Sequence, residues 1–241
     1  MKKFFVLTML VVFALSTVSA LAATDQEILF RGIPWGTDYN TAKSMLTDFP
    51  MVVPMHGEAF KMYSIDEIIL GDGEGIRFEY HDINVFATCA PSSIDVAGYK
   101  TSGVTAFFAF LPVDGVLTRD MADTAMYGGR YEFEPINTDA MSEDLCAKLT
   151  GLYGEPDETS DRKDFVGNTY DYVYWKGAND SMVALSVRHG TQTNSIYKDK
   201  IWISYVNTKG DEMLQTASDT AKSEAIANEA DAAGNGNTSG L

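Results

Sequence analysis

The residues best placed by type and spacing to do chemistry are aromatic. In "TYDYVYWK", residues 169–176, Tyr170, Tyr172 and Tyr174 alternate with Val173 and Trp175. On a strand the tyrosines share one side, and the other two residues fit a core. If Val183, Leu185 and Val187 also face the core, the tyrosines share the outer face with Arg188 on the next strand and with Trp202. Flat amphipathic rings on a sheet form a surface for glycans or peptide partners. Two other readings stand beside this one. Aromatic neighbours contribute ~0.2–1 kcal/mol each as cross-strand pairs without any ligand, or the face is covered by the other half of the chain or its tail.

Other chemistry finds few residues to carry it. His56, His81 and His189 stand far apart, with no helical pairing of the H-E-x-x-H kind and no zinc-ligand spacing. No G-x-S-x-G elbow, Walker loop or dinucleotide fingerprint occurs. "GDGEGIRFEY" holds Asp72, Glu74 and Glu79 without the alternation of a calcium loop. Among 34 acidic residues no acid–base pair can be singled out. No catalytic residue, metal ligand or cofactor site is therefore assigned, and the expectation is a protein that is not an enzyme and carries no cofactor. Cys89 and Cys146 can pair, closing a loop whose constraint contributes ~4–5 kcal/mol in the chain-entropy model, or can stay as two buried thiols.

The chain starts with "MKKFFVLTMLVVFALSTVSALAA": two lysines, an apolar run and small residues. That pattern predicts a signal peptide over residues 1–23, hence a secreted, periplasmic or other extracytoplasmic protein. The balance of 18 basic against 34 acidic residues disfavours nucleic acid and anionic lipid as partners. No later stretch is long and apolar enough to span a bilayer, so stable membrane insertion is not expected.

These residues need elements to hold them. In "IPWGTDY", Thr37 reads as an N-cap. Tyr39, Ala42, Met45, Leu46 and Phe49 follow at helical spacing until Pro50, with Trp35 as core or staple. A second helix takes Thr138 as its N-cap, carries Met141, Leu145, Leu149, Leu152 and Tyr153 as its stripe, and ends at Gly154 with Pro156 just beyond. Strands are predicted at 169–176, 181–189 and 199–206, the first two joined through "GAND". The first half repeats the order with strands at 83–90, 95–111 and 126–134, after a loop-rich segment, 51–82. The expected fold class is α+β, with two related units, 24–135 and 136–207, each a helix on an antiparallel meander and able to join into one sheet. A polar tail, 208–241, follows, partly helical to about 230 and then disordered.

The opening "FRGIPWGTDYNTAKSML" resembles the start of secreted bacterial proteins, a family of unassigned function, that begin F-x-G-x-x-W-G and enter a short helix. The helix-then-meander order is similar to the architecture of β-lactamase-inhibitor protein and of SmpA/OmlA-type outer-membrane lipoproteins. "PWG" and "LYGEP" are the local motifs that carry it. The resemblance implies a small non-enzymatic binding scaffold of the cell envelope or exterior. This chain has no lipobox cysteine and too few cysteines for the inhibitor's disulfides, so neither family's site residues transfer. The expected function is recognition of another extracytoplasmic protein. The alternatives are a glycan-binding module on the tyrosine face and, behind it, a hydrolase with an acidic site within 51–82.

Overall fold

The computed structural model describes residues 26–46, 51–52, 64–70, 83–89, 93–164, 167–191 and 198–234. The fold is α+β. Four helices are described: α1 (Tyr39–Met45), α2 (Ile65–Leu70), α3 (Thr138–Tyr153) and α4 (Gly210–Gly234). The strands are β1 (Met51–Val52), β2 (Asn84–Cys89), β3 (Asp95–Val96), β4 (Tyr99–Lys100), β5 (Gly103–Phe110), β6 (Thr124–Phe133), β7 (Glu158–Lys163), β8 (Thr169–Lys176), β9 (Ser181–His189) and β10 (Lys200–Asn207). Eight of them form one antiparallel sheet in the order β1-β2-β5-β6-β10-β9-β8-β7, and β3 and β4 form a separate hairpin. The first half of the chain thus supplies one side of the sheet and the second half the other, meeting where β6 pairs with β10.

The period-2 pattern of β9 and β10 decides which face takes the helices. Val183, Leu185 and Val187 are registered against Tyr205, Ile203 and Ile201, and these against Gly129, Tyr131 and Phe133. All lie on one side, since directly paired residues share a face. Helix α3 covers that side with Leu145 and Leu149 buried, and the indole N–H of Trp175 donates to the carbonyl of Gly154 at the helix end. Gly154 has φ 86°, a conformation open to glycine.

The segment "FRGIPWG" and Tyr39 of α1 continue the cover on the same face. Phe30 is fully buried between Tyr131 and Tyr205, with ring centroids 5.1 and 5.9 Å away. It sits where a Cβ on Gly129 would stand 2.2 Å from its ring, so only glycine lets the ring reach the backbone of β6. The backbone N–H of Gly36 donates to Met126 and that of Met126 to Thr37, fastening the loop to the same strand. Trp35 packs on the core and donates to Ile28, as expected of a core or staple residue.

Several elements differ from the sequence reading. Asp38, not Thr37, caps α1, accepting from the N–H of Thr41, while the Thr37 hydroxyl donates back to Pro34. Asn137, not Thr138, caps α3, and the Thr138 hydroxyl is used on Asp199 instead. In both cases an Asx side chain stands beside the threonine and reaches the first-turn N–H groups more readily. Leu152, expected in the apolar stripe of α3, is 67 % exposed, and Met45 of α1 is exposed as well. The segment 51–82 is not all loop, since it contributes β1 and α2. The single strand expected at 95–111 is a hairpin followed by β5, because Ala97 and Gly98 take positive φ and turn the chain. Strand β7 was not expected at all. The tail is helical through Gly234, and residues 235–241 lie outside the described residues. The boundary between the two expected units, 135/136, falls between β6 and α3.

Candidate functional site

The face of the sheet opposite α3 carries the candidate residues. Register places them in rows across the strands. One row runs Arg162, Tyr170, Arg188, Lys200; the next runs Ser160, Tyr172, Ser186, Trp202, Glu132; a third runs Glu158, Tyr174, Ala184, Ser204, Arg130. Tyr170, Tyr172, Tyr174, Arg188 and Trp202 are therefore brought together on one side, as their alternation predicts.

That side is not an open surface. Tyr170 is 1 % exposed, Tyr172 3 % and Trp202 0 %, Arg188 is buried, and Tyr174 is half-buried. Helix α2 packs against β6, β9 and β10 here. Its carbonyl end is held by the sheet: the Ser204 hydroxyl donates to Ile68 O at 2.8 Å, the Ser186 hydroxyl to Ile69 O at 2.7 Å, and Arg130 to Ile68 O at 3.4 Å. A helix end buried without such donors would leave its last carbonyls unsatisfied. The N-terminal end is held just as firmly. Ser64 and Glu67 form a reciprocal capping box, and the Asp211 carboxylate, at the start of α4, accepts from the N–H of Ile65 at 2.9 Å.

The aromatic and charged groups on this face are occupied with one another. Tyr170, Tyr172 and Tyr174 stack in a ladder with centroids 6.2 and 6.1 Å apart and planes 2° and 16° from parallel. The Arg162 guanidinium lies 5.1 Å from the Tyr170 ring centroid, and that of Arg188 5.4 Å from Trp202. Arg188 also donates through Nε and a terminal nitrogen to Lys198 O. Glu132 accepts from Lys200 at 2.7 Å and from the Trp202 indole at 2.9 Å. Burial would raise its carboxyl, but Lys200, Trp202 and Arg130 together hold it below the ordinary carboxylate range. Glu67 goes the other way: burial raises it, and Asp211 and Asp66 add to that against its bonds from Ser64.

The other residues singled out by sequence lie apart. His189 pairs with Asp171 at 2.9 Å on the α3 side of the sheet, in an exposed position. Cys146 is a free thiol on α3, partly buried against the core, and the Cys89 side chain lies outside the described residues. So do His56, His81, Asp72, Glu74 and Glu79. Among the described residues no group of three or more His, Cys, Asp or Glu side chains could hold a metal ion, and no helix is long and apolar enough to cross a membrane. Glu132, Ser186, Ser204, Arg130 and Glu67, which organise this face, carry no signal in the sequence. A lone serine in an apolar strand, such as Ser186 in "VALSVRH", is the nearest thing to one. Set against family models, curated proteins and solved structures, the chain matches none of them.

Proposed function

We propose that the protein is a secreted, non-catalytic binding protein of the cell envelope or exterior that recognises another protein. The observation that carries this reading is where its chemically capable side chains are spent. Arg188, Glu132, Lys200 and Trp202 each tie one strand to the next or to the segment that enters it, and Glu67 caps its own helix. Among the described residues, the surface left to a partner is the outer side of the helices and the edge strands of the eight-stranded sheet. Glycan recognition on the tyrosine face needs exposed rings, and Tyr170 and Tyr172 are buried.

The test is retention of proteins from envelope and secreted fractions of the source organism on the purified chain, followed by titration calorimetry with the captured protein in pure form. The expected result is saturable binding at a fixed ratio. Retention on wall polysaccharide alone, with no protein partner, would overturn the reading in favour of the glycan binder.

A further inference from the structure

Among the described residues, strand β7 closes one end of the sheet and pairs only with β8, and all of its residues are exposed. An edge strand with free backbone groups is a template for another strand. Its backbone polarity follows from the hairpin register. Asp164 is paired with Asn168 through an N–H to carbonyl bond, and this register continues through Lys163↔Thr169, Arg162↔Tyr170 and Asp161↔Asp171. Antiparallel hydrogen-bonded pairs alternate along a strand. Arg162, Ser160 and Glu158 therefore turn their backbone groups to β8. Thr159, Asp161 and Lys163 turn theirs to the open edge.

Charges on an edge usually block pairing. Here the order is Asp157-Glu158-Thr159-Ser160-Asp161-Arg162-Lys163. A second copy laid antiparallel about a two-fold axis through Ser160 sets Glu158 opposite Arg162 and Thr159 opposite Asp161; Asp157, just before the strand, is held on β8, its N–H donating to the Tyr174 carbonyl and its carboxylate accepting from the Lys176 N–H. Symmetry repeats each pair on the other side of the axis. The same register sets Thr159 and Asp161, whose N–H and carbonyl groups face the edge, directly against each other, so backbone and side chains agree. Moving the axis to Asp161 opposes it to itself and sets Glu158 against Asp164. Moving it to Thr159 sets Asp157 against Asp161. Only the register centred on Ser160 pairs unlike charges throughout.

We propose that the protein self-associates through this edge, as a two-fold dimer in which β7 pairs antiparallel with β7 of a second copy. The axis stands perpendicular to the sheet, so the two sheets run on as one and like faces stay on the same side. Glu158 already lies 3.7 Å from Lys176 and Arg162 over the Tyr170 ring, both in exposed positions. They share these contacts with the second copy rather than exchange them. The contact is confined to one strand, so the dimer is of the weak, reversible class.

Sedimentation equilibrium of the purified protein over a concentration series measures it. The expected result is a monomer–dimer equilibrium in the micromolar range. Thr159→Pro removes an N–H that faces the edge and none that β8 uses, so it should weaken the dimer at least tenfold while the thermal midpoint stays near wild type. Glu158→Arg and Arg162→Glu each place like charges across the axis and should each abolish self-association. Mixed, they restore opposite charges at both positions and should form a heterodimer. A wild-type chain that stays monomeric at the highest concentrations reached, a Thr159→Pro dimer of unchanged strength, or no heterodimer on mixing would overturn the proposal.

Discussion

At the scale of single residues, the two faces of the sheet are fixed by contacts that tolerate little change. Phe30 lies on the backbone of Gly129, so Gly129→Ala drives a methyl group into its ring. The expected cost is ~1–3 kcal/mol, the range for overpacking a filled core, read from denaturant midpoints. On the other face, Trp202→Phe keeps an aromatic ring, though a smaller one, and deletes the indole N–H that Glu132 accepts from. Leaving this half-buried carboxylate short of a donor should cost about 1–3 kcal/mol. The pH dependence has a definite sign. Because the Glu132 carboxyl is held low in the folded protein, its contribution is complete above its unfolded pKa of 4.5 and is lost as pH falls through the folded value. Lys200→Met removes the ammonium that bonds the carboxylate and should move the acid-unfolding midpoint to higher pH in a circular-dichroism titration. An unmoved midpoint would mean that Lys200 does not set the charge state of Glu132. The alternation of the tyrosines was legible in sequence. Their burial was not, because nothing within 169–176 specifies what packs on top.

Elements show the same division. Strands β8 and β9 carry strong period-2 patterns, and their predicted bounds, 169–176 and 181–189, match the structure. The turn between them is set by Asn179 and Asp180, both at positive φ, in keeping with a hairpin connection. Helix α2 is too short for its period to be read, at six residues, and its place is fixed by partners distant in sequence: Ser186, Ser204, Arg130 and Asp211. The double variant Ser186→Ala/Ser204→Ala strips both hydroxyl donors from its carbonyl end. It should speed amide exchange in 65–70 selectively while strands β9 and β10 stay protected; equal loss of protection throughout would sink this view of α2 as a separately docked element. Glu67 supplies a pH signature for the same helix. Its folded pKa is raised, chiefly by burial. Its share of stability is therefore present below the unfolded pKa and lost as pH rises through the folded value. Glu67→Gln keeps an acceptor for the Ser64 N–H and should flatten the stability profile on the alkaline side of pH 4.5, measured by urea unfolding across pH. Strand β7 escaped the sequence reading for the opposite reason to the core strands. "ETSDRK" has no apolar member, so neither period is visible, and its strand state comes from pairing with β8.

For the molecule as a whole, stability should reside in the sheet and the elements laid on it. Helix α4 is docked by Leu214 and Ala217 and by the Glu224 carboxylate, which accepts from the Leu117 N–H and lies 3.7 Å from Arg119. Beyond Glu224, residues 225–232 are all exposed. A chain ended after Ala225 should unfold within about 2 °C of the full chain, since surface changes away from packed features stay within ~0.5 kcal/mol; a larger fall would show that the outer half of α4 bears on the body. Sequence alone determined the α+β class, the helix that covers the second half, the central strands, and the sharing of one face by Tyr170, Tyr172, Tyr174, Arg188 and Trp202. Those are matters of local period, capping and alternation, which each stretch of chain carries in itself. The tertiary structure decided that this shared face is an interior one, that Phe30 occupies the notch left by Gly129, and that a polar hexapeptide forms the edge of the sheet. Each of these depends on contacts between segments far apart in the chain, and no local pattern records which segment will arrive.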